Sequence, residues 1–158
     1  MQRTYQLGLK SGLVVSDASR ETIRSIGKTR RFADGEFIQH RGDPPNGFWM
    51  VASGQVMSGR FGKDGSVTVF GVYGAGDLFG ELSFVAGIPR LADAISDGPT
   101  ELIWLEGALL KELIARDVDF TLMLIQSLGS QLHAALERID IDRQVRPEIR
   151  LARSLLEM

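Results

Sequence analysis

The residues best suited to chemistry lie between Gly76 and Ala94. Gly80 lets a ligand approach the backbone closely, and a helical turn that starts there would direct unpaired amide N–H groups at an anion. Arg90 offers a fixed positive charge and a planar fork of donors, which suits a phosphate diester. Glu81 is an acceptor that a sugar hydroxyl on the same ligand would satisfy. The stretch therefore predicts a pocket for a small anion, with phosphate as the expected group.

Two other interpretations of these charged residues are open at this point. Glu81 and Arg90 would also form an ion pair on the surface, where such a pair contributes little. Asp93 and Asp97 lie near Glu81 in sequence, but residues beside a turn are usually solvated and no activated nucleophile accompanies them. We predict no catalytic residue and do not expect an enzyme.

Metal chemistry has few candidate ligands. The sequence has no cysteine, which excludes disulfides, thiolate metal sites and cysteine nucleophiles. Its two histidines are His40, at a predicted strand end, and His133, on a predicted helix. A metal cupin needs clustered histidines with a carboxylate, and haem ligation would rest on one isolated histidine. We predict no metal site and no cofactor.

Composition limits the remaining classes. The 158 residues are enough for one ordinary domain with its own core, and the net charge of −2 argues against a chain-wide surface for nucleic acid or anionic membrane. The polar N-terminus leads to no long apolar run, so no signal peptide, membrane span or membrane partner is predicted. The expected location is the cytoplasm, and any contact with DNA must be local.

The elements that would position the pocket are mostly strands. From Arg30 to Leu105, short runs of strand-forming residues alternate with turn signals such as Asp34-Gly35, Ser53-Gly54 and Asp64-Gly65. These runs are too short for helices of normal length, and we count about eight strands. A short helix is predicted over residues 16–27. The predicted fold is mainly β with flanking helices: a jelly-roll-like β-roll followed by a long dimerisation helix.

That long helix is predicted from Phe120 to Val145, a stretch with no proline and with Gly129 as its one glycine. Apolar residues recur along it at alternating spacings of three and four, which is the a/d pattern of a coiled coil. The predicted dimer seam consists of Ile125, Leu128, Leu132, Ala135 and Ile139. Alternatively these residues pack on the chain's own roll. Leu122, Met123, Leu124 and Leu136 widen the apolar surface, so the helix is expected to do both.

After the helix, Arg146-Pro147-Glu148 can start a new helix with proline in its first turn. So short an amphipathic helix has little to bury against, and we expect it to open a further domain. The predicted organisation is a β-roll with short flanking helices over residues 1–117, a dimerisation helix over 118–145, and the start of another domain over 146–158.

The whole pattern resembles the cyclic-nucleotide-binding domain of the catabolite activator and FNR group of bacterial transcription regulators. In that family a phosphate-binding cassette runs from glycine-glutamate-hydrophobic through a loop to arginine-serine/threonine-alanine. Here the matching residues are Gly80-Glu81-Leu82 and Arg90-Leu91-Ala92, and residues 80–92 are called the cassette below. Asp34-Gly35-Glu36, Gly42-Asp43 and Gly76-Asp77-Leu78-Phe79 extend the likeness.

The resemblance implies roles for these residues. Glu81 would bind the ribose 2′-hydroxyl and Arg90 the cyclic phosphate, while backbone amides of Gly80 to Leu82 and of Leu91 to Ala92 would complete the cradle. It also implies a homodimer through the long helix, a cyclic AMP or cyclic GMP effector, and DNA contact through a winged helix-turn-helix domain beyond Met158.

Three residues depart from the family pattern. Leu91 stands where the family usually has a hydroxyl on the phosphate, and a hydrogen bond to a charged group is typically worth ~1.5–3 kcal/mol. Ala135 and Leu136 lie where cyclic-AMP-responsive members present hydroxyls to the base. These departures motivate an alternative: a module that keeps the roll and the helix but responds to another ligand or to a protein partner.

Overall fold

The structure is a computed structural model that describes residues 15–145. Its helices are α1 (Asp17–Ile26), α2 (Glu81–Ala86), α3 (Gly107–Arg116) and α4 (Val118–Val145). Its strands are β1 (Lys28–Phe32), β2 (Phe37–Gln39), β3 (Gly47–Ser53), β4 (Gln55–Phe61), β5 (Val67–Gly74), β6 (Leu78–Phe79), β7 (Asp93–Ser96) and β8 (Thr100–Glu106). The predicted count of about eight strands is confirmed. The predicted element after Arg146 lies outside the described residues.

The strands form two antiparallel sheets that face each other as a β-roll. One sheet has the order β1-β8-β3-β6 and the other the order β2-β7-β4-β5. The connection from β3 to β4 crosses from one sheet to the other at Gly54, whose φ of 88° is the left-handed conformation that glycine tolerates. A Cβ there would lie 2.5 Å from the carbonyl oxygen of Pro99. The predicted mainly-β roll with a long C-terminal helix is therefore confirmed.

Strand β3 separates two apolar cores because both of its faces are buried. Trp49 and Val51 point into the roll, where they join Val56, Phe79, Ala94 and Leu102. Phe48 and Met50 point the other way, toward the helices. The core on that side contains Ile23 of α1, Leu110 and Leu113 of α3, and Phe120, Met123 and Leu124 of α4. The start of α4 is thus fixed to the roll by packing.

Short polar contacts set the helix ends. The Ser16 hydroxyl accepts a hydrogen bond from the Ser19 amide at 3.3 Å, so α1 begins where the cap residue was expected. Asp117 separates α3 from α4, and its carboxylate accepts from the Phe120 amide at 3.0 Å. The predicted division of the chain into three domains stays a prediction. Within residues 15–145 no helix is long and apolar enough to cross a membrane.

Helix α4 has two different faces. Phe120, Met123, Leu124 and Ser127 are buried against the roll. In the part of α4 up to residue 140, six large apolar side chains point to solvent and are at least half exposed: Val118, Leu122, Ile125, Leu132, Leu136 and Ile139. Among the predicted seam residues, Ile125, Leu132, Ala135 and Ile139 are exposed and do not pack on the chain's own roll, while Leu128 is half-buried. Leu136, which is not one of the predicted seam residues, is also exposed and follows Ala135 on α4.

Candidate functional site

The cassette begins at a left-handed glycine. Gly80 has φ 81° and ψ −1°, and the short helix α2 starts at the next residue. A Cβ on Gly80 would lie 2.8 Å from Nη1 of Arg90, so both the backbone angle and the close neighbour require glycine. The helical turn predicted to start at Gly80 is present as α2, with Glu81 as its first residue.

Arg90 lies behind Gly80. Its side chain is buried, with the residue 4% exposed. Nη1 donates to the Gly80 carbonyl oxygen at 2.6 Å and Nη2 donates to the Gly47 carbonyl oxygen at 2.5 Å. Burial lowers the pKa of Arg90, while the negative charges of Asp43 and Glu81 oppose that change. The guanidinium therefore ties the cassette to β3 and places a positive charge beneath it.

Glu81 is turned inward toward α4. The residue is 2% exposed, and its Oε1 accepts from Nε2 of Gln131 at 2.6 Å and from Oγ of Ser127 at 3.5 Å. Burial raises the pKa of this carboxyl group, whereas hydrogen bonds from its own backbone N–H, Gln131 and Ser127 and the charge of Arg90 act in the opposite direction. The alternative of a surface Glu81–Arg90 pair is wrong, because both residues are buried.

A cleft opens beside these residues, between the second sheet, the cassette and α4. Its lining consists of Gln39, Ser58, Tyr73, Phe79, Gly80, Glu81, Leu82, Ser83, Leu91, Ala92 and Gln131. Five of the six predicted ligand-binding residues thus line one cleft. Arg90, the sixth, is not among the lining residues, since its guanidinium faces the carbonyl groups on the other side of Gly80.

The rim of the cleft is apolar. Leu91 is 55% exposed, and Leu82 on α2 is also exposed. The position where the family has a hydroxyl thus presents a bare aliphatic side chain to the opening. Ala135 and Leu136 lie one turn beyond Gln131 on α4 and are not among the cleft's lining residues.

Tyr73 forms part of the back wall. Its ring stacks on that of Phe79 with centroids 5.5 Å apart. Burial raises the pKa of Tyr73, and the negative charges of Glu81 and Asp77 raise it further, so the phenol stays protonated and can donate a hydrogen bond.

Sequence reasoning missed Gln39, Ser58, Tyr73, Ser127 and Gln131. A signal existed for two of them: Ser127 and Gln131 are polar residues four apart, on the face of the helix that Met123 and Leu124 otherwise make apolar. Gln39 and Ser58 gave no such signal, because a polar residue in a strand usually faces solvent.

The histidines weighed as metal or haem ligands lie apart from the cleft. His40 stacks on the Phe37 ring with centroids 4.6 Å apart. His133 is on α4, with its Nε2 3.1 Å from Oε1 of Glu137 and both side chains exposed. Among the described residues there is no group of three potential ligands that could hold a metal ion.

The sequence matches a known protein family, and this match agrees with the geometry of the roll, the cassette and the helix. The family model described as "Cyclic nucleotide-binding domain" matches residues 29–117, which extend from β1 to the end of α3. This chain belongs to the cyclic nucleotide-binding domain family. The match contains the whole cassette and both sheets, and it stops where α4 begins.

Relatives of this domain include bacterial transcription regulators. The CRP-like cAMP-activated global transcriptional regulator of Mycobacterium tuberculosis strain H37Rv is 27% identical over 101 residues, which is 64% of this chain and 45% of the relative. The catabolite activator protein of Thermus thermophilus has a TM-score of 0.65 at 26% identity, covering 83% of this chain and 60% of that chain. The chain spans less than half the length of the curated relatives it matches.

The domain also shares its fold with a protein crystallised with a different ligand. The structure of oxidized CprK in complex with o-chlorophenolacetic acid has a TM-score of 0.73 at 18% identity, covering 92% of this chain and 60% of that chain. At that identity the likeness is one of fold alone. The same architecture is thus found with a nucleotide-activated relative and with an aryl acid complex.

Proposed function

We propose that this chain is the effector-sensing and dimerisation part of a transcription regulator, and that it binds a cyclic nucleotide or a related small anion. One observation carries the proposal: Glu81, the first residue of α2, is buried and hydrogen-bonded to Gln131 of α4. The residue that would bind an effector hydroxyl is therefore already in contact with the helix that would transmit the signal.

In this proposal the effector occupies the cleft with its phosphate at the cassette. The amide N–H groups at the start of α2 create a local positive potential that attracts a phosphate. The buried charge of Arg90, directly beneath Gly80, adds to it. A ribose hydroxyl donates to Glu81, which is an acceptor when ionised. Tyr73 and the amides of Leu82 and Ser83 supply further donors on the same wall.

The relay follows from the shared carboxylate. Gln131 and Ser127, which lie on one face of α4, both donate hydrogen bonds to the Glu81 carboxylate. An effector hydroxyl that also binds this carboxylate competes with these two donors. Effector binding therefore favours one position of α4 over another. A ligand shifts such an equilibrium only by binding the two arrangements unequally, which contact with both the cassette and α4 allows.

The exposed apolar stripe of α4 is proposed to pair with the same stripe of a second copy. Ile125, Leu132, Leu136 and Ile139 are each at least half exposed, and burying them against a partner removes apolar surface from water. DNA contact belongs in this proposal to a separate domain that follows α4, since the chain's net charge of −2 gives no broad basic surface.

The test is calorimetric titration of the protein with cyclic AMP and with cyclic GMP. We expect one of them to bind, and Arg90→Ala to weaken binding at least tenfold, because it removes the positive charge beneath the cassette. Arg60→Ala is the matched control, since Arg60 is exposed and lies over the Phe70 ring, away from the cleft. If the unmodified protein binds neither nucleotide, the nucleotide proposal fails.

A second candidate is a sensor that no longer takes a cyclic nucleotide. It is favoured by the apolar rim at Leu91 and by the Arg90 guanidinium, which is engaged by two backbone carbonyls. An aryl carboxylic acid, the ligand class in the CprK structure, suits an apolar rim with interior donors. This candidate predicts that o-chlorophenolacetic acid raises the melting temperature while cyclic AMP and cyclic GMP leave it unchanged.

A further inference from the structure

The interior face of the second sheet carries two polar side chains in one row. Gln39 of β2 and Ser58 of β4 are both register partners of Ala94 in β7, on its two sides. Gly71 of β5 continues the row beyond Ser58. Residues in register across a sheet project from the same face. Ala94 is fully buried in the core of the roll, so the row faces inward.

Two members of this row reach the cleft. Ala94 packs in the core of the roll with Val56 and Phe79 and does not line the cleft, and neither does Gly71. Gln39 and Ser58 both line the cleft. The row thus offers hydrogen-bonding groups within an otherwise tightly packed roll.

Gln39 has an unmet acceptor there. Its Oε1 is buried and has no hydrogen-bond partner among the described residues. Buried polar atoms almost always find a partner, and leaving one unpaired costs about 1–3 kcal/mol. An apolar residue at this position would avoid that cost, so the glutamine is explained if a ligand donates to it.

We propose that Gln39 selects the effector by accepting a hydrogen bond from an N–H group of the ligand in the cleft, with Ser58 as a second polar contact. A cyclic nucleotide carries N–H groups only on its base. The group that fits is an exocyclic amino group on a planar base. Glutamine pairs well with such an edge, because its amide presents an acceptor and donors side by side. This inference rests on the proposed nucleotide-binding function.

The test compares two pairs of ligands by calorimetric titration. Cyclic AMP is compared with purine riboside 3′,5′-cyclic phosphate, which lacks the 6-amino group, and cyclic GMP with inosine 3′,5′-cyclic phosphate, which lacks the 2-amino group. We expect the unmodified protein to prefer the amino-bearing member of one pair by about tenfold, and Gln39→Met to abolish that preference. The pair that responds identifies the base.

Gln126→Met is the matched control, because Gln126 is exposed on α4 and does not line the cleft. Melting of the ligand-free proteins separates recognition from a structural role: Gln39→Met is expected to melt no lower than the unmodified protein, since the lost acceptor had no partner. A variant that keeps the preference, or that loses affinity for both members of the pair equally, overturns the inference alone. No binding of any nucleotide by the unmodified protein overturns the proposed function and this inference with it.

Discussion

Nε2 of Gln131 lies 2.6 Å from Oε1 of Glu81, which joins the middle of α4 to the first residue of α2. The bond bridges fifty positions of sequence and connects the cleft wall to the exposed apolar helix. Ser127, one turn earlier on α4, approaches the same oxygen at 3.5 Å. Ligand site and helix are therefore a single hydrogen-bonded unit, and changes at either end should be measurable at the other.

Replacing Gln131 tests this connection. Gln131→Leu removes the shorter of the two α4 bonds to a buried carboxylate, so we expect the free energy of unfolding to fall by about 1–3 kcal/mol, measured by urea denaturation. Gln126→Leu makes the same change at an exposed position of the same helix and should have little effect. Equal midpoints for the two variants would show that the Glu81 contact contributes nothing to the fold.

The pH dependence of stability should carry the signature of Glu81. Burial raises its pKa in the folded state above the unfolded value, so the folded protein binds more protons in the window between the two. The contribution is fully present below the unfolded pKa and is lost as pH rises through the folded pKa. Glu81→Gln, which cannot ionise, should therefore gain stability relative to the unmodified protein as pH rises across that window.

The measurement for Glu81→Gln is a series of melting curves from acidic to neutral pH, with Glu137→Gln as the control on an exposed stretch of α4. A difference between Glu81→Gln and the unmodified protein that stays constant with pH would contradict the raised pKa. The same substitution should weaken effector binding, because the neutral amide is a poorer partner for a hydroxyl than a carboxylate is.

Alanine substitutions at Gly80 and Gly87 distinguish the energetic cost of backbone strain from the cost of close packing. Both have left-handed φ, at 81° and 67°, but a Cβ on Gly80 meets Arg90 whereas one on Gly87 meets nothing within 4 Å. We expect Gly87→Ala to cost about 1–2 kcal/mol from strain alone. Gly80→Ala should cost more, because Arg90 is held by two carbonyls and cannot move aside freely.

Thermal or urea unfolding of both glycine variants makes this comparison, and only Gly80→Ala should also weaken effector binding. If the two variants lose the same stability, the contact between Gly80 and Arg90 does not constrain the cassette.

Self-association should depend on the exposed stripe of α4. Leu132 is 62% exposed in the single chain, so Leu132→Glu leaves the folded core intact but places a charge at the centre of the proposed dimer contact. We expect sedimentation velocity to report a dimer for the unmodified protein and a monomer for the variant. Ser130→Glu, on another face of α4, should remain dimeric. A monomeric unmodified protein at all concentrations would rule out this contact.

Much of the architecture was predictable from local patterns. Turn glycines, strand-forming runs and caps such as Ser16 act over a few residues, so they predicted the roll, α1 and the long helix close to their observed limits. The cassette was equally predictable, because Gly80 supplies the left-handed backbone that it needs and two charged residues, Glu81 and Arg90, accompany this glycine in a mostly apolar stretch.

The roll, the helix and the segment that forms the cleft wall can thus be predicted from the amino-acid sequence alone. The directions in which the side chains point depend on the packing of the whole fold. This packing turned Arg90 toward the carbonyls of Gly80 and Gly47, paired Glu81 with Gln131, and left the acceptor of Gln39 unpaired beside the cleft. These contacts join residues far apart in sequence, and their partners depend on how the sheets and α4 pack, which no local pattern encodes.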